Sequence, residues 1–257
     1  MRLFRCELPE ALDEAALDRA EVLVHLAYMT RFTDRDAARR VNDLGTRLVI
    51  ERSRARGVNR FLFLSSQSAH EEAQSYYGRS KLELEKLFSL DRDVVIRSGL
   101  VLAKEGDGLF HRMCHMVRTS RVIPLFGGGR QPIQTIHVDD LCAGITSAIE
   151  KGLAGVFSLS EPGSLTMREL LEAIASRLGR KSFFVPFPMG PALLALRLIE
   201  GLGIPFPVSS ENLLGMKCLR ATDTRPDLER LGITARDAQR SLDYALGAEG
   251  AATQSAS

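Results

Sequence analysis

The hydrophobic pattern is clearest between Arg60 and Phe88, RFLFLSSQSAHEEAQSYYGRSKLELEKLF. The apolar run Phe61–Leu64 stops at Ser65 and Ser66, which predicts a short buried strand with a polar end. Downstream, Leu84, Leu87 and Phe88 mark the inward face of a helix running through 78–90. Earlier in the chain, Arg2–Leu8 and Glu21–Leu26 read as strands around a helical turn or two at Ala11–Arg19, and 34–56 reads as a long helix. Later, Asp93–Arg97, Val122–Phe126, Ile133–Asp140 and Gly155–Leu159 read as strands. Leu109–Arg118 and Leu141–Glu150 read as helices, and Gly127–Gly129 as a loop. Thr166 is the expected N-cap of a helix carrying Leu170, Leu171 and Ile174 inward.

Composition changes this picture little. A chain of 257 residues, 45% hydrophobic, has the material for a full core in one or two domains. A net charge of +2 is far from the basic excess that nucleic acid demands. Cys6, Cys114, Cys142 and Cys218 show no CxxC spacing, which points to reduced thiols. His111 and His115 flank Cys114, but no HExxH pattern or third ligand accompanies them, so no metal is expected. Met1–Glu10 has no apolar core of a signal peptide, and a cytoplasmic location follows as the expectation. Met189–Val208 is the most apolar stretch, yet Arg197, Glu200 and three prolines interrupt it, so no transmembrane segment is expected. A buried or pocket-lining helix accounts for it; a helix lying on a membrane surface over Ala192–Leu202 is the other reading. The small, polar tail 247–257 is expected to be disordered.

The chemistry lies with Tyr77 and Lys81. At i and i+4 they project from one helix face. A free phenol, with a pKa of about 10, is a poor base near neutrality. A neighbouring ammonium favours the phenolate and lowers that value. A Ser66 hydroxyl at the adjacent strand end can hydrogen-bond the same substrate oxygen. The three together can take a proton from a carbinol or return one to a carbonyl. Hydride then needs a separate carrier, a nicotinamide.

A strand ending in Ser-Ser, followed by Tyr77-Gly78-Arg79-Ser80-Lys81, resembles the extended short-chain dehydrogenase/reductase family of nucleotide-sugar epimerases and dehydratases. Val22–Ala27 resembles that family's fourth strand, which usually ends HLAA, and Asn42, Gly45 and Thr46 match its N-x-x-G-T. The resemblance implies an α/β fold: a Rossmann-type parallel sheet flanked by helices, with a smaller C-terminal substrate lobe. It assigns 1–98 plus 134–160 to the dinucleotide-binding part and 99–133 plus 161–246 to the lobe. It makes Ser66, Tyr77 and Lys81 catalytic, and places Leu26, Ala27, Asn42, Lys81, Ser98 and Gly99 at an NAD or NADP cofactor. His137 and Asp139 usually support the fold in this family. A homodimer through helices 34–56 and 78–90 is also implied.

Three departures qualify the likeness. Gly45 is the first glycine of the chain, so the glycine-rich turn that holds the pyrophosphate is not found, and the chain is expected to begin near the family's third strand. Such a deletion bares the edge of the Glu21–Leu26 strand, and Arg2–Leu8 is expected either to pair with it or to dangle. Ile133 stands where epimerases often carry an arginine for the substrate diphosphate, and Gln67-Ser68 replaces the acid pair of dehydratases. The expected function is therefore an epimerase or 4-ketoreductase of a nucleotide-linked sugar. A non-catalytic, NAD-independent scaffold is the alternative.

Overall fold

The computed structural model describes residues 2–30, 32, 34–203 and 208–247. Of the tail expected to be disordered, all but Gly247 lies outside the described residues. The first part of the chain forms a hairpin of β1 (Cys6–Glu7) and β2 (Ala11–Leu12), then a 3-10 turn (Glu14–Leu17) and β3 (Val22–His25). Next come α1 (Arg35–Arg39), a π-helical turn (Arg40–Leu44), α2 (Gly45–Ala55), β4 (Arg60–Ser66), α3 (Tyr76–Glu85) and β5 (Val94–Ser98). The middle holds β6 (Leu100–Leu102), α4 (Leu109–Thr119), β7 (Val122–Phe126), β8 (Pro132–Ile133), β9 (Thr135–His137), α5 (Val138–Glu150) and β10 (Gly155–Leu159). The chain ends with β11 (Leu165–Thr166), α6 (Met167–Arg177), β12 (Phe183–Phe187), α7 (Met189–Gly201), α8 (Ser210–Lys217), α9 (Arg225–Leu231) and α10 (Ala238–Leu246).

The expected α/β architecture is present. A four-stranded parallel sheet in the order β10-β5-β4-β3 has helices on both faces. Alternation along β4 explains why both are covered. Phe61 and Phe63 pack with Ile50, Leu84 and Phe88 under α2 and α3. Leu62 packs with Ile96, Leu141, Leu159 and Leu231 under α5 and α9. A separate cluster built from α4, α6, β7 and α10 forms the centre of the second part. Its helix α6 starts at Thr166 in a full capping box with Glu169.

Several expectations need correction. Arg2–Leu8 neither pairs with β3 nor hangs free: it closes the short β1–β2 hairpin, which sits on α2. Glu10 reaches Arg40 at 3.1 Å, Glu14 reaches Arg52 at 2.8 Å, and Leu8 packs where a side chain at Gly45 would collide with it. Among the described residues the outer edge of β3 has no partner strand. The helix expected over 78–90 starts at Tyr76 and stops at Glu85. Beyond it Phe88 drops inward and stacks on Phe63 at 4.9 Å, so the apolar period continues past the end of the helix. The strand expected over Ile133–Asp140 breaks at Gln134, and Asp139 and Asp140 lie in the first turn of α5, where acidic side chains suit the helix N-terminus.

Candidate active site

The carboxyl ends of β3, β4 and β5 bring 26–27, 65–66 and 98–99 to one edge of the sheet, where open α/β sheets hold their ligands. Helix α3 is fixed against that edge by contacts at both ends. Ser75 caps it by accepting from the Gly78 amide at 3.2 Å, and Glu211 of α8 accepts from the Tyr76 amide at 2.6 Å. Gly78 is required by proximity, since a Cβ there would run into the Ser68 carbonyl and lie 2.9 Å from Ala73 Cβ. At the other end Arg97 grips Glu85 through two nitrogens (2.6 and 3.0 Å), and the Ser65 hydroxyl donates to the same carboxylate. Ser80 donates to Asp43 at 2.8 Å, tying α3 to the π-helical turn.

Within this frame Ser66 and Tyr77 meet. The Ser66 hydroxyl, which accepts from the Ser68 amide at 3.2 Å, lies near enough to the Tyr77 phenol to favour its ionised form. Burial nonetheless wins and raises the Tyr77 pKa above its ordinary value. The Lys81 ammonium, expected to act on that phenol, makes its hydrogen bond elsewhere. It donates to the Leu64 carbonyl at 2.7 Å and lies over the rings of Tyr28 (4.2 Å) and Phe63 (4.5 Å). Burial lowers its pKa to about 7, against the opposing pull of Glu85. Tyr28 also meets Tyr77 edge-on, with ring centroids 5.4 Å apart.

The other expected site residues frame the same edge. Asn42 accepts from the Met29 amide at 2.7 Å and donates to the Met29 carbonyl at 3.1 Å, which fixes the turn after β3. Leu26 and Ala27 lie exposed just before that turn. The Ser98 carbonyl accepts from the Gln67 amide and the Gly99 amide donates to Leu159, so these backbone groups are already engaged. Gly99 approaches the Gln134 carbonyl so closely that a Cβ would sit 2.6 Å from it. His25, at the end of β3, bonds Thr46 at 2.9 Å, and burial followed by the nearby Lys81 charge lowers its pKa to about 4. His137 and Asp140 serve the fold: Arg236 donates its Nη1 to His137 Nδ1 and its amide to Asp140.

Two residues escape the sequence reading. Tyr28 stands where the last alanine of HLAA falls, and that replacement is a signal visible in the chain. Glu85 lies one turn past Lys81 on the same helix face, a weaker sign. Surface clefts of about 490 Å³, beside the β1–β2 hairpin, and about 400 Å³, beside Lys217–Arg220, lie away from Ser66, Tyr77 and Lys81.

The sequence model of the NAD dependent epimerase/dehydratase family matches residues 3–158. The chain belongs to that family. It is 28% identical over 204 residues to an uncharacterised protein of Sinorhizobium fredii, covering 72% of this chain and 51% of that one. It is also 28% identical over 195 residues to the ceramide reductase of Caulobacter vibrioides, covering 75% and 61%. Against the first of these relatives the chain thus spans about half the length. Among solved structures, MoeE5 in complex with UDP-glucose and NAD superposes with a TM-score of 0.72 at 18% identity, covering 97% of this chain and 86% of that one. This last likeness shows the fold.

A nicotinamide dinucleotide fits this chain at one end. Ser66 and Tyr77 present paired hydroxyls at the sheet edge, beside the Gly99 approach and the Asn42-held turn. The Tyr28 ring touches both Lys81 and Tyr77, so a group held by those two side chains meets that ring.

Proposed function

We propose that this chain is a carbonyl reductase of the epimerase/dehydratase family, with Tyr77 as the proton donor and Ser66 as the group that positions the substrate oxygen. The observation that carries the reading is the Ser66–Tyr77 pair at the carboxyl edge of the sheet. The Tyr77 phenol, with its pKa raised by burial, is protonated in the free protein, the form from which a carbonyl oxygen is protonated during reduction. Reduction uses the phenol in that one direction, whereas epimerisation uses it in both. NAD(P)H, when bound, supplies the hydride. Lys81 and the turn held by Asn42 would hold its nicotinamide end, once Tyr28 has moved aside. The 4-keto group of a nucleotide-linked sugar is the substrate class to test first, given the UDP-glucose in a protein of the same fold. In this proposal the chain pairs as a homodimer through 34–56 and 78–90, which sedimentation equilibrium tests.

The experiment is oxidation of NADPH or NADH by the chain with a nucleotide-linked 4-keto sugar, alongside Tyr77→Phe. Turnover is expected to fall by about 10²–10⁴ in the variant while nucleotide binding holds. Equal turnover in both proteins overturns the assignment of Tyr77. A second reading, a binding protein without catalysis, is favoured by Tyr28 covering Lys81. It predicts no saturable change in NADH fluorescence at any concentration tested.

A further inference from the structure

The second part of the molecule exposes an apolar surface on β7, β12 and α7. Strands β7 and β12 pair in parallel, with Val122 beside Phe183, Pro124 beside Val185 and Phe126 beside Phe187. Their alternate residues Ile123 and Leu125 go into the core, so those three pairs share the opposite face, made entirely of apolar side chains; Phe126, at its far end, packs against Ala192 and Leu196. Phe183 is 69% exposed and Val122 59%. Helix α7 follows after Pro188. It buries Ala192 and Leu196 against Leu213 and leaves Leu194, Leu198 and Leu202 outward at helical spacing, each more than 60% exposed. Scattered surface leucines are ordinary; a continuous apolar face on a ribbon and the helix that follows it is not.

The charge pattern selects the occupant. The chain as a whole nearly balances its signs, with 34 basic and 32 acidic residues. From Leu109 to Ile133 and from Leu178 to Ile199, however, there is no Asp or Glu at all, and the next acid, Glu200, is engaged by the Ser210 amide and hydroxyl, each at 2.6 Å. Because the two strands run in parallel, Arg121 and the pair Arg180-Lys181 come to the same end of the ribbon. The Arg180 guanidinium donates to the Arg118 carbonyl at 2.8 Å, which draws that group together. We infer that this face docks on an anionic membrane surface. Its leucines and phenylalanines would enter the boundary between headgroups and acyl chains, and Arg118, Arg121, Arg180 and Lys181 would meet lipid phosphates. A second copy of the chain is a poorer occupant, since a two-fold contact would bring two clusters of the same sign together. The inference does not depend on the reaction proposed above.

The test is co-sedimentation of the full chain with vesicles of phosphatidylcholine, with and without phosphatidylglycerol, together with Leu194→Asp/Leu198→Asp and Arg121→Glu/Lys181→Glu. The wild type is expected to sediment with the anionic vesicles, less with neutral ones, and less as salt rises. Each lost charge should weaken anionic binding by roughly fivefold or more, and the leucine pair should weaken it by at least tenfold. Circular dichroism of each variant at the assay temperature shows whether it is folded. If the leucine pair unfolds the helix, Phe183→Ser on the exposed ribbon takes its place. Failure of the wild type to bind anionic vesicles overturns the inference and leaves an acidic protein partner as the face's occupant. Folded variants that bind as the wild type does also overturn it. So does a dimer that the leucine substitutions dissociate.

Discussion

Tyr28→Ala tests whether one ring closes the candidate site. That ring lies 4.2 Å from the Lys81 ammonium and edge-on to Tyr77. A desolvated cation–π contact contributes about 2 kcal/mol and an aromatic pair about 1 kcal/mol. Against them stands the Tyr28 hydroxyl, which is buried without a well-aligned hydrogen bond. The Ser80 hydroxyl, close enough to favour the ionised form of Tyr28, gives its own proton to Asp43. An unsatisfied hydroxyl costs about 1–3 kcal/mol, so the closed arrangement is favoured by only about 0–2 kcal/mol. At the middle of that range, about 1 kcal/mol, a ligand that must displace the ring binds roughly fivefold more weakly than to an open site. In Tyr28→Ala the affinity for NADH, read by fluorescence titration, is expected to tighten by about that factor. The Lys81 pKa should rise from about 7 toward its ordinary 10.5 as water reaches the ammonium, which the pH dependence of its reductive methylation reports. Tyr28→Phe keeps the ring and loses the unsatisfied hydroxyl, so it should bind NADH no more tightly than the wild type. The reasoning is refuted if Tyr28→Ala moves the Lys81 pKa and leaves the NADH affinity where it was.

Three further outcomes follow from the contacts that hold the site. His25 has its pKa lowered from 6.5 to about 4 in the fold, so the unfolded chain binds more protons between those values and stability drains away as pH falls through that window. The loss should reach about 3 kcal/mol by pH 4 in denaturant titrations, and His25→Leu should flatten that limb. Glu85→Gln leaves Arg97 half-buried without its charge partner and should cost about 3 kcal/mol in urea melts. Gly78→Ala drives a methyl group into the Ser68 carbonyl and should cost about 1–3 kcal/mol, while Gly163→Ala, whose nearest neighbour is 3.9 Å away, should cost far less.

Sequence and structure agree best where a period of two or 3.6 is sustained inside a core. Val122–Phe126 and Gly155–Leu159 are legible to the residue because each apolar run is bounded by a turn and buried on its inner side. The helix at Thr166 is legible because a capping box is local chemistry. The first 20 residues are not legible in this way. Their short pieces are set by distant partners, Glu14 on Arg52 and Leu8 on Gly45, which no local pattern encodes. The same holds at the site. The spacing of Tyr77 and Lys81 fixes a shared helix face, but the direction of each head group depends on its neighbours. Leu64 offers a carbonyl and Tyr28 a ring, and both turn the ammonium inward, away from a role on the phenol.

These neighbours also say what kind of site this is. Helix α3 is held by Glu211 at its start, Asp43 along its side and Arg97 at its end, all groups of the chain itself. The Ser66–Tyr77 pair therefore does not need a bound ligand to assemble it, and its geometry is set by folding. What a ligand has to change is the ring of Tyr28 and, through it, the exposure and charge of Lys81. A rigid pair of hydroxyls next to a movable ring places the free energy of closure in the binding step. Substitutions at Tyr28 should accordingly alter nucleotide affinity, while substitutions at Tyr77 alter turnover. A variant at either position that moves both quantities equally would mean that the pair and the ring are one coupled unit.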